Sequence, residues 1–214
     1  MMIKMTLTLN NLEMYAKQQY EVILTSWNED GTRNAAPFGT IVKDETHIIN
    51  RIFDGSTTLK NILRNREFTV NITSNPIYFT RALIDNIPYE NYVNDDSLIL
   101  NDIDAYFNGN VIETKYVTKK DDPISPTETC YIESEVNKIF INKEKINVIN
   151  RGIHCIIESL VNYSRIDKVN DEQKKYYMGR FRENRRVTNK VGSKADKEAM
   201  KYIISNLEKK GYSI

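Results

Sequence analysis

The chain has 214 residues, of which 40% are hydrophobic and 28% charged, and its 30 basic and 29 acidic side chains leave a formal net charge of +1. This composition is typical of a globular protein with one large domain, or with one domain and an appended lobe. The balanced charge argues against a chain devoted to nucleic acid or to a membrane surface. No apolar run approaches the roughly 18 residues that a membrane-spanning helix needs.

The predicted compartment is the cytoplasm. Two cysteines, Cys130 and Cys155, are too few for a disulfide framework, which favours a reducing environment. The N-terminal stretch lacks the long apolar segment and the small-residue cleavage site of a signal peptide. The two histidines, His47 and His154, have no second His three or four residues away, so no metal site is predicted.

The first part of the chain predicts four strands and one short helix. β-branched and aromatic residues indicate the strands, and an Asn-Glu-Asp-Gly turn makes the first two a hairpin. Leu59, Ile62 and Leu63 recur at helical spacing and indicate the helix. The predicted strands cover residues 20–27, 32–42, 46–53 and 67–73, and the helix covers residues 56–65.

The second predicted strand is unusual because it contains Pro37 and Gly39. Proline gives no donor to a β-ladder, and glycine gives no side chain to pack. We therefore expect this strand to lie at an edge, to be bulged, or to be crowded by another group.

The pattern is weaker over residues 75–104, where a short helix near 76–87 and a polar loop at 88–98 are predicted. Two long strands follow at 105–120 and 127–142, joined by a loop at 121–126. Helical periodicity then indicates three helices, within 150–166, 171–187 and 193–211. Ser193 is the expected N-cap of the last helix and Gly211 lies past its end.

Six strands with few helices between them favour a closed or partly closed barrel over a parallel doubly wound sheet. The predicted fold is mainly β with α: a six-stranded split β-barrel over residues 1–143, with a helical C-terminal lobe over residues 144–214.

The segment after Gly55 allows two interpretations. In one, Ser56 is an ordinary N-cap and the two threonines after it fill the first helical turn. In the other, the free N–H groups and partial positive charge of that turn bind a phosphate, helped by three hydroxyls and Lys60. The turn contains no acidic residue that would compete with an external anion. The Walker pattern is absent, so nucleotide triphosphate hydrolysis is not indicated.

Four features of the sequence stand together: G-T-R-N-A-A-P-F-G-T-I-V, a strand with Arg51 near its end, G-S-T-T-L-K-N-I-L-R-N-R-E-F-T-V-N-I, and I-H-C-I-I-E-S-L-V-N-Y-S-R-I. Together they resemble a mostly archaeal family of unknown function within the FMN-binding split-barrel superfamily, which includes flavin reductases and pyridoxamine phosphate oxidases. The resemblance covers most of the chain and is most specific over residues 32–73.

The resemblance implies a homodimer with FMN near its interface. It places the flavin ring and ribityl chain along Ala35, Ala36, Pro37, Phe38, Gly39 and Thr40, and the phosphate against Arg51, Ser56, Thr57, Thr58, Lys60 and Asn61. Asn71 matches the F-x-V-N pattern and is expected to support the phosphate loop. This placement would explain the small residues of the second strand, because a flat flavin ring must approach the backbone closely.

The resulting hypothesis is an FMN-dependent oxidoreductase, with reduced nicotinamide as a candidate electron donor. No catalytic side chain stands out, which fits a cofactor that performs the chemistry itself. The alternative is a non-enzymatic flavin carrier or sensor. A third hypothesis is a nucleic-acid-associated protein that uses the basic segment at 176–190.

Three charged residues of the predicted helical lobe allow two interpretations. Arg151, Glu158 and Arg165 recur every seven residues and indicate a salt-bridged helix side. The alternative is that Arg151 or Arg165 reaches the cofactor or substrate of a neighbouring subunit.

Overall fold

The structure is a computed structural model that describes residues 7–118 and 128–214. It divides into two compact units, Met1–Ile149 and Asn150–Ile214. The predicted loop at 121–126 and the adjoining ends of the two long strands lie outside the described residues.

Unit 1 is an antiparallel barrel, and its elements are β1 (Gln19–Trp27), β2 (Arg33–Val42), β3 (His47–Phe53), α1 (Thr57–Asn65), β4 (Glu67–Ile72), α2 (Pro76–Ile84), β5 (Ala105–Thr118) and β6 (Glu128–Ile141). The barrel is closed, with its strands in the order β1-β2-β3-β6-β5-β4. This confirms the six-stranded barrel predicted from the sequence. A 3-10 turn at Leu9–Leu12 precedes the strands, and a second one, Tyr89–Asn91, lies between α2 and β5.

The barrel interior is filled by alternate residues of the strands, as the period of two requires. Val22 and Leu24 of β1 face this core, whereas Ile23 between them belongs to a second cluster outside the barrel, with α2 and the segment before β5. Both faces of β1 are therefore buried here, which explains its continuous apolar run. Leu59 and Ile62 of α1 also belong to the barrel core, so this helix covers the interior.

Unit 2 contains three helices, α3 (Arg151–Tyr163), α4 (Asp171–Val191) and α5 (Lys194–Lys209), with a 3-10 turn at Ile166–Lys168. Ser193 caps α5 through a reciprocal pair of bonds with Asp196, as expected from the sequence. The core of the unit consists of Ile156, Ile166, Met178, Phe181, Met200, Ile203, Ile204 and Leu207.

The helix α3 buries a different face from the one that its apolar spacing predicts. Ile156 is buried, but Ile153, Ile157 and Leu160 are each about half exposed, at 49%, 51% and 51%. The side packed in the unit is partly polar, and Ser159 accepts a hydrogen bond from Asn184 of α4 at 3.0 Å. Periodicity identified the helix, but it did not identify the buried side.

Candidate functional site

The barrel has an open seam between β2 and β3. β2 pairs with β1 along its whole length, from Gln19 opposite Ile41 to Trp27 opposite Arg33. It pairs with β3 only over Thr40–Val42. In the part of the chain that the structure describes, residues 33–39 thus have a strand on one side only, and β2 is an edge there, one of the three arrangements expected from Pro37 and Gly39.

The position of Pro37 follows from the ladder pattern. Pro37 lies opposite Ile23, and hydrogen-bonded and non-hydrogen-bonded pairs alternate along an antiparallel ladder. Because proline has no N–H, this pair is of the non-bonded kind. Ala35 and Gly39, two residues away on either side, therefore direct their backbone N–H groups towards the free edge.

The side chains of this segment alternate between two environments. Ala35 is buried outside the barrel in the same cluster as Tyr78 of α2, whereas Phe38 packs against the barrel core. Gly39 has a close neighbour: a Cβ there would lie 2.0 Å from the side-chain nitrogen of Gln19. The space above Gly39 is thus occupied by the buried side chain of Gln19, whose amide donates to Glu21 at 3.3 Å.

The first turn of α1 combines an N-cap with free donors. Gly55 has a φ of +78°, a conformation suited to glycine, and it turns the chain into the helix. Ser56 accepts a hydrogen bond from the N–H of Leu59 at 3.2 Å, so the capping interpretation is confirmed. Within the described residues, the N–H groups of Thr57 and Thr58 have no partner, and the turn carries no acidic side chain.

The predicted phosphate residues on α1 point in two directions. Thr57 and Lys60 are exposed, whereas Thr58 and Asn61 are 3% and 2% exposed. The side-chain amide of Asn61 donates to Ser26 at 3.2 Å and to Asn28 at 2.7 Å. Asn61 therefore holds α1 against the end of β1.

Asn34 joins the two predicted segments. Its side-chain amide donates to the hydroxyl of Thr58 at 2.9 Å. Asn34 lies directly before the Ala-Ala-Pro sequence of β2, so this bond places the free edge of β2 beside the first turn of α1. No local pattern indicates this contact, because the two residues are 24 positions apart.

Arg51 lies on β3 with its side chain half-buried. It pairs in register with Tyr131 of β6, and its guanidinium carbon is 5.7 Å from the centre of the Tyr131 ring. Its neighbours Asn50 and Ile52 face the barrel interior and are fully buried. Asn50 donates to Thr40 at 2.7 Å, at the last paired position before the seam opens.

The donor set fits the phosphate of FMN. Two free backbone N–H groups, the hydroxyl of Thr57 and the ammonium of Lys60 are available at a helix N-terminus. Thr58 can still donate its own hydroxyl proton, since the bond from Asn34 uses it as an acceptor. Asp54 lies two residues before Ser56 and is exposed, so it is the nearest acidic residue in sequence.

Asn71 supports a different segment from the one expected. It is fully buried, and its amide nitrogen donates to the hydroxyl of Thr25 at 3.0 Å and to the carbonyl of Leu98 at 3.3 Å. Its amide oxygen accepts from the N–H of Leu100 at 2.9 Å. The prediction that it supports the phosphate loop was wrong, because β4 directs this side chain to the outside of the barrel.

Arg33 organises the same segment from the start of β2. It is 5% exposed, and its guanidinium donates to the carbonyls of Asn94, Asp95 and Ser97. It lies over the rings of Tyr89 and Tyr92, at 4.1 and 4.5 Å from their centres. Burial raises the pKa of Tyr92 to about 12, although the nearby Arg33 charge opposes the shift.

The basic part of α4 is largely engaged within unit 2. Arg180 pairs with Glu158 of α3, and Arg186 forms two bonds with Glu183 at 2.7 and 2.8 Å. Phe181 is fully buried in the core and cannot stack on a base. Glu158 thus forms its ion pair with a residue of α4.

Within residues 7–118 and 128–214, no helix has the length and hydrophobicity needed to cross a membrane. In the same described part of the chain, no group of three or more His, Cys, Asp or Glu side chains is placed to hold a metal ion.

The fold and the seam define the chain as a six-stranded antiparallel barrel with appended helices. Residues 20–138 match the family described as "Protein of unknown function (DUF447) N-terminal domain", and residues 150–205 match "Protein of unknown function (DUF447)". The chain therefore belongs to the DUF447 family. This confirms the family of unknown function indicated by the sequence.

Several known proteins are similar to this chain. The uncharacterized protein MJ1453 of Methanocaldococcus jannaschii is 29% identical over 192 residues, which are 87% of this chain and 97% of that protein. The FMN-bound DUF447 protein MM1853 of Methanosarcina mazei is 23% identical with a TM-score of 0.49, over 92% of this chain and 98% of that one. The styrene monooxygenase flavin reductase of Pseudomonas putida S12 is 14% identical with a TM-score of 0.46, over 58% and 81% of the two chains.

Proposed function

We propose that this protein binds FMN on the barrel domain of residues 1–143, at the seam where β2 separates from β3. The phosphate contacts the first turn of α1 through the free N–H groups, Thr57 and Lys60. The flavin ring and ribityl chain lie along the free edge of β2, from Ala35 to Thr40. The observation that carries the proposal is the hydrogen bond from Asn34 to Thr58, which brings these two segments side by side.

Shared family membership also supports this proposal. MM1853 is a DUF447 protein and is FMN-bound. The placement of the cofactor rests on this chain's own residues.

The function that follows is an FMN-dependent oxidoreductase. FMN, when bound, supplies the capacity to accept a hydride or electrons. The free N–H groups of Ala35 and Gly39 can donate to the polar edge of a flat ring, and the half-buried side chains of Ala36 and Pro37 are small enough for close approach. Lys60 and Arg51 supply positive charge. The homodimer, with FMN near its interface, and reduced nicotinamide as the donor belong to the same proposal.

A titration with FMN and with riboflavin tests the phosphate site. We expect saturable absorbance changes with both ligands for the native protein. In Lys60→Ala, FMN should bind roughly 5- to 10-fold more weakly, because one exposed charge-assisted contact of about 1 kcal/mol is lost. Riboflavin should bind within about 2-fold of the native value, since it has no phosphate.

Lys145→Ala is the matched control, because Lys145 is also exposed and lies outside the proposed site. Thr58 is unsuitable for this test, since its side chain is buried and bonded to Asn34. An equal loss for both ligands in Lys60→Ala would show that the phosphate lies elsewhere. Absence of turnover with reduced nicotinamide, together with saturable FMN binding, would favour the carrier or sensor.

A further inference from the structure

Apart from the seam proposed to bind FMN, unit 1 has a cleft with a volume of about 280 Å³ on the outer face of β4, β5 and β6. None of the residues predicted for FMN lines it. Its floor is formed by Thr69 and Asn108, which lie opposite each other on β4 and β5. The hydroxyl of Thr69 donates to the amide oxygen of Asn108 at 3.4 Å, which directs the amide N–H groups of Asn108 away from Thr69.

The two ends of the cleft are aromatic. The ladders place Asn71 and Tyr106 opposite each other on one side of the floor, and Phe140 of β6 lies opposite Tyr106. The rings of Tyr106 and Phe140 are stacked at 4.8 Å. Trp27 lines the cleft at the other end, beyond Thr25 on β1. A flat apolar group therefore has ring surface to contact at each end.

One side wall is the irregular segment Asp96–Ile99, and buried side chains hold it in place. Arg33 donates to the carbonyl of Ser97 at 2.8 Å, and Thr25 donates to that of Leu98 at 2.6 Å. Asn71 bonds the same carbonyl and the N–H of Leu100. Because buried polar networks of this kind fix a single backbone arrangement, the wall is preformed, as in ligand sites generally.

Lys138 lines the other side of the cleft, at a bulge in β6. Tyr106 pairs with Phe140, but Asn108 pairs with Asn137, so β6 has one extra residue between these pairs. Lys138 lies in that insertion with a φ of +50°, a conformation that is costly for lysine and suits glycine. Bulges next to functional sites commonly redirect a side chain. Among the described residues, Lys138 has no ion-pair partner.

The polar groups of the cleft favour a singly charged anion. Lys138 and the amide of Asn108 supply donors, and the hydroxyl of Ser97 accepts from Ile99, so its own proton is free to donate. Glu67 and Asp96 are exposed residues of the same cleft, so with Lys138 its formal charge is −1, and it repels a multiply charged ligand such as phosphate more strongly than a singly charged one. Donors in the centre and aromatic rings at the ends match a ring that carries one carboxylate.

We propose that this cleft is a binding site for a small aromatic monocarboxylate. The carboxylate contacts Lys138 and Asn108, and the ring lies against Tyr106 and Phe140 or against Trp27. The site is independent of the proposed FMN site.

Benzoate is the probe, and the fluorescence of Trp27, the only tryptophan in the chain, is the readout. Saturation-transfer NMR of benzoate gives a second readout that does not depend on quenching by flavin. With the full chain, we expect saturation with a dissociation constant on the order of 1 mM, which suits so small a ligand. Benzamide, which has the same shape without the charge, should bind about 10-fold more weakly.

Two variants and a control complete the test. Lys138→Met and Asn108→Ala should each weaken benzoate about 10-fold and leave FMN and riboflavin titrations unchanged. Lys145→Met removes an exposed lysine outside the cleft and should change nothing. Thermal unfolding curves establish that each variant is folded.

The proposal is overturned if folded native protein shows no saturable binding of benzoate below about 10 mM. It is also overturned if benzamide or inorganic phosphate binds as well as benzoate, or if the two cleft variants bind like the native protein. A parallel loss of FMN in Lys138→Met would show that the cleft belongs to the flavin site. Loss of FMN binding alone, as in Lys60→Ala, would leave the benzoate result standing.

Discussion

Replacing Arg33 by Met should release the segment that connects α2 with β5. The guanidinium donates three hydrogen bonds to carbonyls of residues 94, 95 and 97 and lies over two tyrosine rings. Three bonds at about 1–1.5 kcal/mol each, with about 1 kcal/mol for each ring, give roughly 5–6 kcal/mol. One guanidinium nitrogen, Nη1, is buried without a partner in the described part of the chain, so its removal returns about 2 kcal/mol.

The net loss for Arg33→Met is therefore about 3–4 kcal/mol of unfolding free energy, measured by urea denaturation. Hydrogen exchange should rise most at residues 89–100, because the carbonyls there lose their fixed partner. Arg33→Lys is the matched variant: it keeps the charge, but one ammonium cannot reproduce the planar fork, and an intermediate loss is expected. A loss below about 1 kcal/mol in the Met variant, with unchanged exchange in this segment, would show that Arg33 does not hold the segment in place.

Two other predictions concern Tyr92, which lies beside Arg33, and Lys138, which lines the cleft. The hydroxyl of Tyr92 is buried without a partner among the described residues. Because its folded pKa of about 12 lies above the usual 10, its contribution to stability is complete below pH 10 and falls as the pH rises towards 12, by up to about 2–3 kcal/mol. Denaturation at pH 9.5 and 11.5 should show this loss in native protein and a smaller one in Tyr92→Phe; equal losses would contradict the assignment. Lys138→Gly should stabilise the protein by about 1 kcal/mol, since glycine adopts a φ of +50° without strain, and should lose benzoate binding; a variant less stable than native would show that the bulge is not strained.

The sequence determined the local elements because they depend on neighbouring residues. Periods of two and of 3.6 residues indicated the strands and helices, and Gly55 with Ser56 indicated the start of α1. Pro37 and Gly39 indicated an edge, a bulge or a crowded strand, since a residue without an N–H has few places in a ladder, and the pairing of β2 shows the edge. The six-stranded barrel followed from the count of strands and the scarcity of helices between them.

Tertiary structure alone decided which of these residues meet and which way they face. β3 pairs with β6, so that Arg51 lies opposite Tyr131, a partner 80 positions away that no local pattern specifies. Of the hydroxyls after Gly55, Ser56 caps the helix, Thr57 is exposed, and Thr58 turns inward to Asn34. The choice depends on the packing of α1 against the barrel, because rotation of a helix about its axis is set by its neighbours.

The contrast between local patterns and tertiary contacts also applies to the cleft lined by Lys138. Nothing in the residues around Lys138 indicates a bulge, since a bulge exists only in relation to the partner strand. Arg33, Thr25 and Asn71 read locally as ordinary strand residues, yet they converge on one irregular segment that lies later in the chain. Short-range preferences are encoded in adjacent side chains, whereas contacts between distant strands arise only when the whole barrel closes.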